Sequence, residues 1–172
     1  MQLRTIFKLI GILLMMFSLT MLTPLIVNLI YQDGHYLAYI YSFAMTCSAG
    51  FCLWFPSRHY HYELKTRDGF LIVSLFWIVI CFFAAFPFML SLHPTNGFTD
   101  SLFESVSGFT TTGATIIPRL DKLPHAILFY RQQLHFLGGM GIIVLAVAVL
   151  PMLGVGGMQL YRAETPGPIK DN

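Results

Sequence analysis

Apolar and polar positions segregate here on the scale of whole membrane spans. Uncharged, mostly apolar runs occupy residues 9–32, 36–56, 69–92 and 132–161. Each is long enough to cross a bilayer, which takes about 20 residues of helix. Backbone in lipid must satisfy its own hydrogen bonds, so the runs predict four transmembrane helices. Pro24, Pro87 and Pro151 lie toward the ends of these runs, where a lost backbone bond is least costly. Arg4 and Lys8 precede the first run in the manner of a secretory signal. That run outlasts a signal's apolar core of about 7–15 residues and shows no small-residue cleavage site. It is expected to be a retained span.

The connection from His93 to Arg131 breaks the pattern. It holds a further apolar-rich piece, residues 98–109, too short to cross the membrane at about 1.5 Å per residue. Thr99, Asp100 and Ser101 suit a helix start. Gly108 and Phe109 end the piece, and Thr110-Thr111-Thr112-Gly113-Ala114-Thr115 follows. Two structures fit: an external loop carrying a surface helix, or a re-entrant half-helix followed by an extended strand. Leu102, Phe103, Val106 and Phe109 offer the half-helix an apolar surface to bury.

Charge sets the orientation. Arg4, Lys8, Arg58, Lys65, Arg67, Arg162 and Lys170 flank the runs on one side; Arg119, Lys122 and Arg131 lie in the third connection. By the positive-inside rule both termini are expected in the cytoplasm and the third connection outside. Only 10% of residues are charged, mean hydropathy is +0.69 and net charge is +2. Soluble domains carry about 25% charged residues, so lipid is the expected solvent, and the net charge is too small to argue for nucleic acid. Cys47, Cys52 and Cys81 all sit in apolar runs and are expected to pack as free thiols.

The candidate chemistry lies in residues 110–115. Replacing an ion's hydration shell takes closely spaced oxygens, which backbone carbonyls supply when they point to one side. Glycine tolerates positive φ, and threonine favours extended backbone while adding a hydroxyl. A preceding half-helix would aim its negative end at a cation. The carbonyls of Thr110, Thr111, Thr112, Gly113 and Ala114 are the candidate ligands, with potassium at Thr111, Thr112 and Gly113. Glu104, midway along the short helix, is the candidate filter support, since carboxylates inside membranes default to function. Its alternative is a solvated helix residue.

The run Leu102-Phe-Glu-Ser-Val-Ser-Gly-Phe-Thr-Thr-Thr-Gly-Ala-Thr115 resembles the first pore loop of TrkH-like members of the Trk/Ktr/HKT superfamily. The Gly138-Gly139-Met140-Gly141 run and the segment from Gly156 to Gly167 resemble the helix and loop that follow it. The resemblance implies an all-α membrane protein built on a helix–pore loop–helix repeat, four of which surround one potassium pore. It implies two leading helices in residues 1–56, a cytoplasmic loop in 57–68, the first repeat in 69–153 and a cytoplasmic tail or linker in 154–172. Gly113 falls on the family's filter glycine, in the potassium-selective pattern. The implied partners are membrane lipid, repeats two to four or further copies to close the pore, and a cytoplasmic nucleotide-binding regulator. No cofactor beyond the transported potassium ion is implied. His135-Phe136 stands where relatives commonly carry tryptophan.

Several residues have blander roles. Gly138, Gly139 and Gly141 are expected to open the last helix and to pack it closely. Ala44, Thr46, Ser48 and Gly50 read as packing. His59 and His61, with Tyr60 and Tyr62, fit a headgroup belt better than a metal site. Two other functions compete with potassium uptake in the cytoplasmic membrane. One is an intramembrane hydrolase using Ser105 or Ser107 with His93 and Glu104, for which no Gly-x-Ser-x-Gly elbow or paired metal motif appears. The other is a truncated, non-conducting or structural membrane protein.

Overall fold

The computed structural model describes residues 3–58, 66–92 and 97–152. All regular structure among them is helical: α1 (Leu3–Thr20), α2 (Thr23–Tyr31), α3 (Tyr36–Trp54), α4 (Thr66–Ser91), α5 (Phe98–Phe109) and α6 (His125–Met152). Three stretches are long and apolar enough to cross a membrane, Arg4–Tyr31, Tyr36–Ser57 and Gly69–Ser91. The fourth expected span is represented by α6 as far as Met152. Its remainder lies outside the described residues, as do the 154–172 tail and the loop from His59 to Lys65.

The first run is two helices, not one. Pro24 lacks the amide that would bond the Thr20 carbonyl, and its ring crowds that carbonyl. Met21 and Leu22 therefore bond back only three residues, to Ser18 (3.0 Å) and Leu19 (3.1 Å). The freed Thr20 carbonyl accepts from the Gln133 side-chain amide of α6 at 2.9 Å. A helix break inside an apolar span is thus satisfied by a neighbouring helix.

The core forms where α1, α3, α4 and α6 meet, around Met21, Tyr39, Ala84, Phe88 and Tyr130. At the crossing of α1 and α3, an added methyl at Gly11 would lie 2.6 Å from the Gly50 carbonyl oxygen. Small residues there let the backbones touch. Asp33, in the loop after α2, accepts from the Ala126 amide at 2.8 Å and fixes the start of α6. Its negative charge suits a helix N-terminus. The three cysteines are free thiols, with Cys81 buried and Cys52 exposed.

α6 begins at His125, earlier than expected. Arg131, assigned from sequence to an external loop, is inside this helix and 8% exposed. The glycines at 138, 139 and 141 sit mid-helix and do not open it.

Candidate ion-coordinating segment

The short helix α5 is inside out. Ser101, Glu104, Ser105 and Ser107 are buried, while Phe103 and Val106 are exposed. Of the apolar residues expected to drive burial, Phe109 alone is fully buried. Its ring packs edge-on to Trp77 of α4 at 4.7 Å. Polar side chains dock the rest: the Ser105 hydroxyl donates to the Cys81 carbonyl at 2.5 Å. Tyr130 reaches the same stretch of α4 from α6, donating to the Ala84 carbonyl at 3.0 Å. At the other end, Asp100 accepts weakly from the Gly97 amide at 3.4 Å.

The C-terminus of α5 meets α6 backbone to backbone. A Cβ on Gly138 would fall 1.9 Å from the Phe109 carbonyl oxygen. Only glycine permits that approach, and it fixes where the chain leaves the helix. The exit is a Schellman turn: Thr111 N–H donates to Gly108 O (3.0 Å) and Thr112 N–H to Ser107 O (3.0 Å). Such turns need one left-handed residue, usually glycine. Here it is Thr111, at φ 59°. A β-branched residue in that region is strained, at a cost on the order of 1–3 kcal/mol.

Beyond the turn, residues 112–117 form no regular structure, so the expected extended strand is absent. Instead the sign of φ alternates. Thr110 is at −82°, Thr111 at 59° and Gly113 at 79°, while Thr112 and Ala114 are not among the positive-φ residues. A uniform strand points successive carbonyls to opposite faces. Alternating handedness breaks that two-faced pattern, so successive carbonyls need not point to opposite faces. Residues 110–116 are all exposed.

Glu104 is 1% exposed. Its Oε1 accepts from the Thr115 hydroxyl at 2.6 Å and from the Ile116 amide at 2.8 Å. Its Oε2 pairs with Arg131 Nε at 3.3 Å. The arginine's Nη2 donates to the Gly113 carbonyl at 3.1 Å. The Ser107 hydroxyl donates to the Ala114 carbonyl at 2.6 Å, and the Thr111 hydroxyl to the Thr110 carbonyl at 2.7 Å. Among the described residues, the hydrogen bonds found leave the Thr111 and Thr112 carbonyls without a donor. Both serines weighed as nucleophiles spend their hydroxyls on the scaffold. His93 lies outside the described residues.

Arg131, Thr115 and Ser107 complete the site and are absent from the filter residues expected from sequence; Ser107 enters there only as a nucleophile of the competing hydrolase. The signal for Arg131 was available: one cation flanked by Tyr130 and an apolar helix, with one acid, Glu104, on the facing helix. His135 also approaches. Its Nδ1 lies 2.9 Å from the Arg131 carbonyl, which can only accept, so that nitrogen carries the proton. Its Nε2 lies 3.9 Å from where a Gly113 Cβ would sit. Among the described residues, no cluster of three or more His, Cys, Asp or Glu could hold a metal ion.

The sequence from residue 35 to 172 matches the family model described as TrkH, cation transport protein. The chain is 56% identical over 171 residues to the Trk system potassium uptake protein TrkH of Vibrio parahaemolyticus, covering 99% of this chain and 35% of that protein. It is 57% identical to the protein of that name from Escherichia coli, covering 100% and 36%. Against Trk system potassium uptake protein TrkG of Escherichia coli it is 44% identical, covering 98% and 35%. The crystal structure of the potassium transporter TrkH from Vibrio parahaemolyticus superposes with a TM-score of 0.85 at 52% identity, over 95% of this chain and 35% of that one. The chain thus spans about a third of the length of the curated relatives it matches.

Proposed function

The chain belongs to the TrkH family of cation transport proteins, and on that premise we propose that it moves potassium ions across the cytoplasmic membrane as one quarter of a pore. Residues 110–114 are its filter segment. The observation that carries this is the alternating φ of an exposed polar segment held by a buried carboxylate. Exposed threonines on an ordinary loop need no buried brace; a segment whose carbonyls must keep fixed positions around an ion does. The relatives' names as potassium uptake proteins support the choice of ion.

In this proposal α5 is a re-entrant pore helix and α4 and α6 flank it as the first repeat, over residues 69–153. α1 to α3, in residues 1–56, are leading helices on the lipid side, joined to the repeat by a cytoplasmic loop over 57–68. Residues 154–172 are a cytoplasmic tail or linker. The rest of a full-length relative supplies the three other filter segments. Both termini face the cytoplasm, where a nucleotide-binding regulator has access. A cysteine at Asp121 is then labelled from outside only, and labelling of one at Lys65 from outside contradicts this topology. The work is transport without covalent chemistry.

The test is Gly113→Ser in a full-length chimera, with this chain replacing the matching third of a relative. Space is not limiting, since the nearest neighbour to an added Cβ is 3.9 Å away. Positive φ is disfavoured with a Cβ by about 1–2 kcal/mol. The expected result is a lowered potassium-to-sodium uptake ratio at similar membrane abundance. Unchanged ratio and unchanged uptake would remove Gly113 from the ion path.

A further inference from the structure

We infer that Arg131 is a positioning residue for ion selection: held by Glu104, it takes the Gly113 carbonyl out of the set offered to the ion and leaves the Thr111 and Thr112 carbonyls as this segment's ligands. The inference rests on the filter proposal above and adds to it which oxygens coordinate and what selects them.

The geometry is a clamp with one charged pair at its centre. Glu104 holds the downstream end of the segment through Thr115 and Ile116. Arg131 joins that carboxylate through Nε and reaches back through Nη2 to Gly113. Ser107 engages the next carbonyl, Ala114. The carbonyls of Gly113 and Ala114 thus meet protein donors, and one of those donors is a cation. A potassium ion gains less from a carbonyl already accepting a charge-assisted bond, because the oxygen is aimed at the Arg131 donor. The Thr111 and Thr112 carbonyls carry no such partner among the bonds found in the described residues.

The choice of arginine is specific to this task. Its planar fork reaches two acceptors with Nε and Nη2 at once, where a lysine ammonium is a point charge on a flexible stem. A buried ion pair is a poor way simply to glue two helices, since desolvation offsets much of its attraction. Placed in an apolar helix, such a pair is better explained by what it orients. Glu104 also cancels the arginine's charge, so a cation path can run past it without a fixed positive barrier.

The experiment uses the same full-length chimera and reads potassium and sodium uptake on the same vesicles, so the ratio does not depend on abundance. Arg131→Gln should lower the ratio by about tenfold, the equivalent of one charge-assisted hydrogen bond. Arg131→Lys keeps the charge opposite Glu104 and should restore abundance without restoring the ratio. Glu104→Gln with Arg131→Gln removes both buried charges and should also accumulate with a low ratio. If Arg131→Gln accumulates poorly, these two variants decide the matter. A wild-type ratio in any of the three overturns the role of Arg131. The control is Gly113→Ser. If it lowers the ratio while the Arg131 variants do not, only the clamp is wrong; if none of them moves the ratio, the filter assignment fails with it.

Discussion

Along α1 and α3 most hydroxyls bond their own helix, Ser18 to Met15, Thr20 to Phe17, Ser42 to Ala38 and Ser48 to Met45, while Thr46 reaches across to the Met21 sulfur at 3.5 Å. Along α5, Ser101 and Thr110 also bond locally, but several side chains of α5 and α6 cross between elements. Ser105 and Tyr130 reach carbonyls of α4, Ser107 reaches Ala114, and Arg131 reaches both Glu104 and Gly113. A hydroxyl turned back on its own helix satisfies itself and constrains no neighbour. A bond that crosses fixes one backbone against another. The leading helices therefore pack mainly by shape, through contacts such as Gly11 against Gly50. The α5–α6 region holds a non-helical stretch in one conformation by polar bonds. Interhelical hydrogen bonds in membranes contribute about 0.6–2 kcal/mol each, whereas stranding one member of a buried ion pair costs about 3–5 kcal/mol. The Glu104–Arg131 pair should dominate the second region.

The largest expected effect follows from that difference. Glu104→Ala strands Arg131 and frees Thr115 and Ile116, so it should lower stability by about 3–5 kcal/mol. Thermal unfolding of the purified full-length chimera in detergent measures this. A change under about 0.5 kcal/mol, the range of ordinary surface substitutions, would mean that the pair carries no load and that the two regions are alike.

Two glycine contacts test the comparison at intermediate size. Gly11→Ala and Gly138→Ala each push a methyl into backbone, at 2.6 Å and 1.9 Å. Both should destabilise by about 1–3 kcal/mol through overpacking. Only Gly138→Ala should also lower the potassium-to-sodium ratio, because it displaces Phe109 at the head of the filter segment. A lowered ratio in Gly11→Ala would show that shape packing in the leading helices reaches the filter as well.

Thr111→Gly should have the smallest effect on stability and the opposite sign. Relief of the left-handed strain favours the variant by about 1 kcal/mol. The selectivity ratio should fall, since glycine no longer favours one path for the chain. A stabilised variant with an unchanged ratio would show that the strained turn serves folding alone.

Much of this was legible in the sequence. The apolar runs located the three spans found among the described residues, and Glu104 is an acid in an apolar setting. Gly113 stood out as the glycine of a threonine run. What escaped notice has common physical roots. The break between α1 and α2 has a local cause, Pro24, and a local donor to the Thr20 carbonyl, Thr23; the second donor, Gln133, is 113 residues away and no local pattern reveals it. A charge ends an apolar run, which argues for a loop at Arg131; its partner is 27 residues distant. α5 was expected to bury its apolar residues, as a helix in water does. In this fold its serines and Glu104 have backbone and cation partners inside, and Phe103 and Val106 face out. Thr111 argued for extended backbone by its side chain, and the Schellman turn overrode that preference.

The proposed ligands of the transported ion are the Thr111 and Thr112 carbonyls of a braced segment. Anomalous diffraction from crystals of the full-length chimera soaked in rubidium, a heavier stand-in for potassium, tests this assignment most directly. A rubidium peak is expected in coordination contact with those two carbonyls, with no contact to the Gly113 oxygen beneath Arg131. A peak coordinated by Gly113 and Ala114 instead, or none along residues 110–114 while the ion is bound elsewhere in the protein, would contradict it.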